Sequence, residues 1–294
     1  LVVFTDCITC ARITYHALVK GLAVHQHNAS NDAALEERMG RIGKKILVLS
    51  GKGGVGKSTV SANLALGLAR IGRSVGLLDV DIHGPSIPAM FGLAHSPSLT
   101  DEGSILPAEY GGLKIMSVGL FLGGTDDAVI WRGPMKYGAI EQLLRDVEWG
   151  DLDYLVVDCP PGTGDEPLST IQLIGSGNVD GAVVVTTPQD LALLDVRRSV
   201  RFCEQLHVPV LGIVENMSGF TCPSCGAYHD IFSAGGGEAL SLQLHAPFLG
   251  SIPIDPAVVE SGDRGTPVLA SRPDSPAAQA FEQIGRVLEV QFRE

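Results

Sequence analysis

The stretch Gly51-Lys52-Gly53-Gly54-Val55-Gly56-Lys57-Ser58-Thr59 leaves its surroundings little structural freedom. It fits the spacing G-x-x-x-x-G-K-[ST], follows the apolar run Ile46–Ser50 and opens an amphipathic stretch over Lys57–Ile71. A strand, a phosphate-binding loop and a helix are therefore expected in that order. Glycines let successive backbone N–H groups turn toward phosphate oxygens, and the helix N-terminus adds positive potential. Lys57 supplies a mobile cation, and the Ser58 hydroxyl can ligate Mg2+.

Such a loop needs a carboxylate on a neighbouring strand to hold the Mg2+ water shell. Asp158 ends the apolar run Tyr154-Leu155-Val156-Val157 and is placed for that; the stiff turn Pro160-Pro161-Gly162-Thr163-Gly164 follows it, where it could sense the terminal phosphate. A second pair, Asp79 and Asp81, ends another apolar run in Asp-Val-Asp-Ile-His-Gly-Pro-Ser. From spacing alone, this pair reads equally well as nucleotide-site carboxylates or as solvated aspartates in a strand-end turn.

From Lys45 onward, short aliphatic runs alternate with amphipathic stretches, the pattern of a mostly parallel sheet flanked by helices on both faces. Strands are expected at Ile46–Ser50, Val75–Asp79, Lys114–Ser117, Tyr154–Asp158, Gly181–Thr186, Val210–Val214 and Phe248–Ile252. Helices are expected at Lys57–Ile71, Pro134–Val147, Leu191–Leu206, Glu238–Leu244 and Ser275–Phe292. The fold class is thus α/β, a P-loop NTPase, with the P-loop domain over residues 44–294. Residues 1–43 differ in texture and read as an N-terminal appendage carrying Cys7 and Cys10, with a short helix near Ala33–Met39.

The net charge of −12 disfavours binding long nucleic acid through charge, and no apolar run is long enough to span a bilayer. No charged-then-apolar leader is evident, so the expectation is a cytoplasmic protein without a nucleic-acid or membrane partner.

Six cysteines are too few for a disulfide framework in 294 residues, yet four form two Cys-x2-Cys pairs, Cys7/Cys10 and Cys222/Cys225. Cys159 and Cys203 read as small core residues. Two thiolates at the Cys222/Cys225 spacing can clasp one metal or one edge of a cluster, but a closed zinc site or a four-iron cluster needs more ligands. His229 could supply a third, or a two-fold dimer could bring the same pair from a second subunit. On ligand chemistry alone, zinc is favoured over iron–sulfur.

The ordered set GKGGVGKST, LLDVDIHGPS, VVDCPPGTGDEP, VTTPQD, VENMSGFTCPSCG and IFSAGGGE resembles the Mrp/ApbC family of ATP-dependent iron–sulfur cluster carriers. That family lies within the deviant Walker-A group that includes MinD, ParA and the nitrogenase iron protein. The resemblance runs from about Lys44 to about Thr266 and implies residue roles. Lys52 resembles the lysine that crosses an ATP-dependent dimer interface, Asp81 the aspartate that positions the attacking water, and Asp158 the Mg2+-side carboxylate. Asn216 and Pro253 match positions that recognise adenine. The resemblance also implies a homodimer with a [4Fe–4S] cluster bridged by Cys222 and Cys225 of both subunits, ATP and Mg2+ as ligands, and cluster donors and recipient apoproteins as partners.

Some members of the wider family carry an N-terminal four-cysteine cluster ending Cys-x2-Cys-x5-Cys. Here the last position is His16, which leaves a second cluster at Cys7 and Cys10 without a full ligand set. The alternative from another class is a MinD/ParA-type positioning ATPase with a structural zinc site. Such a protein needs a membrane or DNA readout, and Ser275–Glu294, with mixed charges, is a poor match to an anionic lipid surface. Arg197, Arg198 and Arg201 read as a solvated helix face.

Overall fold

The computed structural model describes residues 29–121, 133–222 and 224–293. Within them a nine-stranded sheet runs in the order β3-β4-β2-β5-β1-β6-β7-β8, with β9 pairing β7. The strands are β1 (Ile42–Ser50), β2 (Val75–Asp79), β3 (Ala108–Tyr110), β4 (Leu113–Ser117), β5 (Leu152–Asp158), β6 (Gly181–Thr186), β7 (Val210–Thr221), β8 (Tyr228–His229) and β9 (Phe248–Ile254). All pairings are parallel except those of the short strands β3 with β4 and β8 with β7. The central strands are aliphatic on both faces because both are covered, so they read as continuous apolar runs.

One face is closed by α2 (Lys57–Arg70) and α10 (Pro276–Gln291), whose Phe281, Ile284 and Leu288 are buried against β9 and α2. The other carries α1 (Ala29–Gly40), α4 (Gly133–Arg145) and α5 (Asp165–Ile174) over a core containing Trp149, Leu47, Leu155 and Val157. A third cluster, centred on Val184, Ile213 and Leu240, lies beneath α6 (Asp190–Gln205) and α7 (Gly236–Leu244). The short helices α3 (Ile87–Met90), α8 (Pro256–Asp263) and α9 (Val268–Ser271) complete the described chain.

Strands β2 and β6 have the bounds expected from the sequence. Strand β1 begins earlier, at Ile42, because Asp180 anchors its polar start: its carboxylate accepts from the Lys45 N–H at 2.9 Å and the Lys44 ammonium at 3.0 Å. Residues 29–43, expected as part of the appendage, pack on the domain, with Leu35, Met39 and Ile42 buried in its core. Arg38 secures this helix through Glu148 at 2.8 Å and the Arg145 carbonyl at 3.1 Å. Cys7, Cys10 and His16 lie outside the described residues.

The largest departure is β7. An apolar run predicts a strand ending at Val214, yet the strand continues to Thr221. Its far end is held by an antiparallel partner, with Phe220 opposite His229 and Thr221 opposite Tyr228. The polar residues of that end follow from its position in a hairpin rather than in the buried sheet.

Candidate functional site

The carboxyl ends of β1, β2 and β5 converge beside the loop from Gly51 to Gly56. Gly54 and Gly56 have φ of +81° and +79°, which only glycine adopts without strain, and Gly56 immediately precedes α2. This loop borders a cavity of about 230 Å³ whose lining includes Lys52, Lys57, Ser58, Thr59, Asp81 and Pro161. The structure therefore brings Lys52, Gly53, Gly54, Gly56, Lys57, Ser58 and Thr59 around one cavity with Asp81, while Gly51 and the buried Val55 belong to the loop but not to the lining. Gly162 donates its N–H to the Ser50 carbonyl at 2.7 Å, tying the Pro160–Gly164 turn to the same place.

At the floor, Lys57 Nζ lies 2.6 Å from Asp158 Oδ1, and the Ser61 hydroxyl donates to that same oxygen at 2.6 Å. Asp158 is fully buried, and among the described residues its Oδ2 has no hydrogen-bond donor. An ionised oxygen in that state is costly unless a cation or water completes it, so the donor set fits a hydrated Mg2+ beside Ser58.

Asp79 faces Asp158 in register across β2 and β5. Burial and the charge of Asp158 push its carboxyl up to about 8, against hydrogen bonds from the Asp81 N–H and the Ser117 hydroxyl that favour the ionised form. The reading of Asp79 and Asp81 as solvated turn residues is thus corrected: Asp79 is 0% and Asp81 8% exposed. Asp81 accepts from the Gly84 N–H at 3.1 Å, which fixes the turn after β2.

A polar bridge that the sequence reading missed joins this turn to the starts of α4 and α5. Lys136 Nζ lies 2.7 Å from Glu166 Oε1 and 2.8 Å from His83 Nε2. Burial raises the Glu166 carboxyl, but its bonds to Lys136 and its own backbone outweigh this and leave it below its ordinary value.

On the other side of the loop, Asn216 Nδ2 donates to the Val55 carbonyl at 2.9 Å. Its β9 register partner is Ile252, next to Pro253, so Asn216 and Pro253 lie on adjoining strands. The Asn216 Oδ1 is the side-chain atom left to meet an amino donor such as that of adenine.

Cys222 and Cys225 occupy the tip of the β7–β8 hairpin. The tip is closed by Cys222 N–H to the Ala227 carbonyl at 2.9 Å and Gly226 N–H to the Cys222 carbonyl at 2.8 Å. Backbone N–H groups of Cys225 and Ser224, together with the Cys225 side chain, hold the Cys222 thiol below its ordinary value, so the thiolate is favoured where a soft metal would bind. Cys225 is exposed and Cys222 half-buried, with Tyr228, Ile231 and Phe232 exposed nearby in sequence.

Among the described residues, no group of three or more His, Cys, Asp or Glu side chains could hold a metal ion. His229 as a third ligand is thus corrected; it pairs with Phe220 in the ladder and is not grouped with the two thiols. The pair fits half of a four-thiolate site. Cys159 and Cys203 are fully buried, and burial raises both thiols, that of Cys203 to about 12, so they are inert core residues.

Two further residues escaped the sequence reading. Ser61 lies one helical turn after Lys57, a spacing that would have revealed it. Glu215 is wholly buried at the end of an aliphatic run, and a charge in that position was the available signal.

A protein-family model described as "ParA: NUBPL iron-transfer P-loop NTPase" matches residues 41–289. The chain is 48% identical over 257 residues to the iron-sulfur cluster carrier protein of Methanocaldococcus jannaschii, covering 87% of each. Among solved structures, a nucleotide-binding protein of Archaeoglobus fulgidus in complex with ADP, with cobalt found in it, has TM-score 0.69 and 42% identity, over 80% of this chain and 91% of that one. The Pyrococcus furiosus cell division ATPase MinD shares the fold, with TM-score 0.64 and 24% identity, over 85% of this chain and 99% of that one.

Proposed function

The chain belongs to the NUBPL iron-transfer P-loop NTPase family, and from that membership and its site we propose that it is an ATP-dependent iron–sulfur cluster carrier that delivers a [4Fe–4S] cluster to apoproteins. The observation that carries the reading is the layout of β7. One strand places Asn216 against the phosphate loop and leads directly into a hairpin bearing an exposed half-site of two thiols.

In this reading the loop N–H groups and Lys57 hold the ATP phosphates, Ser58 and Asp158 hold Mg2+, and Asn216 and Pro253 receive adenine. Asp81 orients a water that attacks the γ-phosphorus, giving ADP and inorganic phosphate. Lys52 reaches the nucleotide of a second copy. The two-fold dimer that results joins two Cys222/Cys225 pairs into four thiolates for the cargo cluster. Cargo held at an exposed subunit boundary is open to ligand exchange with an incoming apoprotein.

The C-terminal helix α10 argues against a membrane-positioning role, since Phe281, Ile284 and Leu288 are committed to the core. No helix among the described residues is long and apolar enough to cross a membrane.

Anaerobic reconstitution of the full chain tests the proposal. A brown dimer with about four iron and four sulfide per two chains is expected, together with loss of that iron in C222A. A colourless protein with stoichiometric zinc and no iron uptake overturns it.

A further inference from the structure

Glu215 is a buried carboxylate that, among the described residues, is hydrogen-bonded by neutral donors alone. Its Oε1 accepts from the Gly235 N–H at 2.9 Å and the Ser218 hydroxyl at 2.5 Å, and its Oε2 accepts from the Gly237 N–H at 2.5 Å. Ser218 begins the excursion that carries the two cysteines, and Gly235 and Gly237 lie where it returns to open α7. One side chain thus clasps both roots of the cysteine hairpin. An apolar residue of similar volume would fill the space without the cost of burying a charge, whereas the carboxylate fixes three donors in one geometry. The N-terminus of α7 adds favourable potential.

The neighbouring residue faces the nucleotide site. Consecutive strand side chains point to opposite sheet faces, so Asn216 reaches Val55 of the phosphate loop while Glu215 reaches the hairpin roots. Just beyond them, Met217 has a φ of +58° and the β7–β9 register shifts between Asn216 and Phe220. The β7–β9 ladder is interrupted there, so it does not tie the start of the hairpin to the sheet.

We propose that Glu215 is a positioning residue that transmits the occupancy of the nucleotide site to the thiol pair. A nucleotide that displaces Asn216 shifts the 215–216 peptide, and through the Glu215 clasp both roots of the hairpin move together. The inference rests on the carrier reading for its purpose, but its test does not require a cluster.

The full chain, freed of metal and reduced under argon, is alkylated with iodoacetamide, and the rate at Cys222 and Cys225 is followed by peptide mass spectrometry with and without saturating MgADP. In the wild type a change of at least about fivefold is expected on nucleotide binding, within the usual range of inter-site coupling. In E215Q the two rates become equal within about twofold while ADP affinity stays within about threefold of wild type. Loss of hairpin packing alone would raise both rates and preserve their ratio.

An E215Q protein that keeps the wild-type ratio overturns the proposal, as does a wild type without nucleotide dependence. If E215Q does not fold or bind ADP, S218A, which removes one donor, is judged by the same ratio: a reduced ratio supports the proposal and an unchanged one overturns it. Iron uptake is scored separately, so a chain that takes zinc instead of a cluster loses the carrier reading without altering this outcome.

Discussion

Lys57 Nζ and Asp158 Oδ1 form a 2.6 Å ion pair in which the two side chains are 6% and 0% exposed. The phosphate-loop lysine is thus paired to the carboxylate assigned to the Mg2+ side. A bound nucleotide offers Lys57 a stronger anionic partner and leaves Asp158 for the metal, so nucleotide and Mg2+ entry are linked through one ion pair.

Breaking this pair from the Asp158 side should be costly. D158N leaves a buried ammonium unpaired, for which about 3–5 kcal/mol is the usual loss. The lower end is expected, because removing Asp158's charge also relieves the repulsion on Asp79. ATP hydrolysis should fall at least about 100-fold, the scale for losing one preorganised electrostatic group. Thermal melts with and without nucleotide, alongside phosphate release, measure both effects.

Asp79 gives a pH dependence of definite sign. Its carboxyl is raised from 3.8 in the unfolded chain to about 8 in the fold, so between those values the native state binds the extra proton. Its contribution to stability is therefore full below about pH 4 and declines as pH rises through about 8. D79N removes this titration; its amide oxygen can still accept from the Asp81 N–H, and its NH2 can meet the Ser117 hydroxyl. Without metal or nucleotide, the wild-type melting temperature should fall relative to that of D79N between pH 4 and pH 8. Parallel curves would refute the assignment.

Gly219 separates the two sites. Its φ is +70°, and a Cβ there would lie 2.1 Å from the Tyr228 hydroxyl, so G219A must displace the ring that packs across the hairpin. Iron uptake on reconstitution should drop severalfold while ADP affinity, measured by calorimetry, changes by no more than the roughly fivefold coupling between the sites. Equal losses of both would show that Gly219→Ala disrupts the nucleotide site itself and not only the hairpin.

Much of this was legible in the sequence because the controlling interactions are local. The phosphate loop, its strand and its helix are adjacent in the chain, and buried parallel strands announce themselves as aliphatic runs. The extension of β7 was not legible: Asn216-Met217-Ser218-Gly219 is a poor strand by composition, and the Phe220–Thr221 end beyond it is held by His229 and Tyr228, which come later. Ion pairs across long separations were equally hidden. Nothing in the spacing of His83, Lys136 and Glu166 reveals that a turn and the first turns of α4 and α5 meet there. The depth of Asp79 depends on Asp158 being its register partner, a fact of topology rather than pattern.

Pro253 has a consequence beyond any contact with a base. It sits in β9, which among the described residues pairs only with β7, and proline brings no N–H to an outer ladder. At the opposite margin, β3 is just three residues long. Short or proline-bearing borders resist recruitment of foreign strands into the sheet, the first step toward amyloid-like association. On the proposed carrier reading, a thiol hairpin offered to apoproteins is thus set on a sheet whose borders do not recruit their strands.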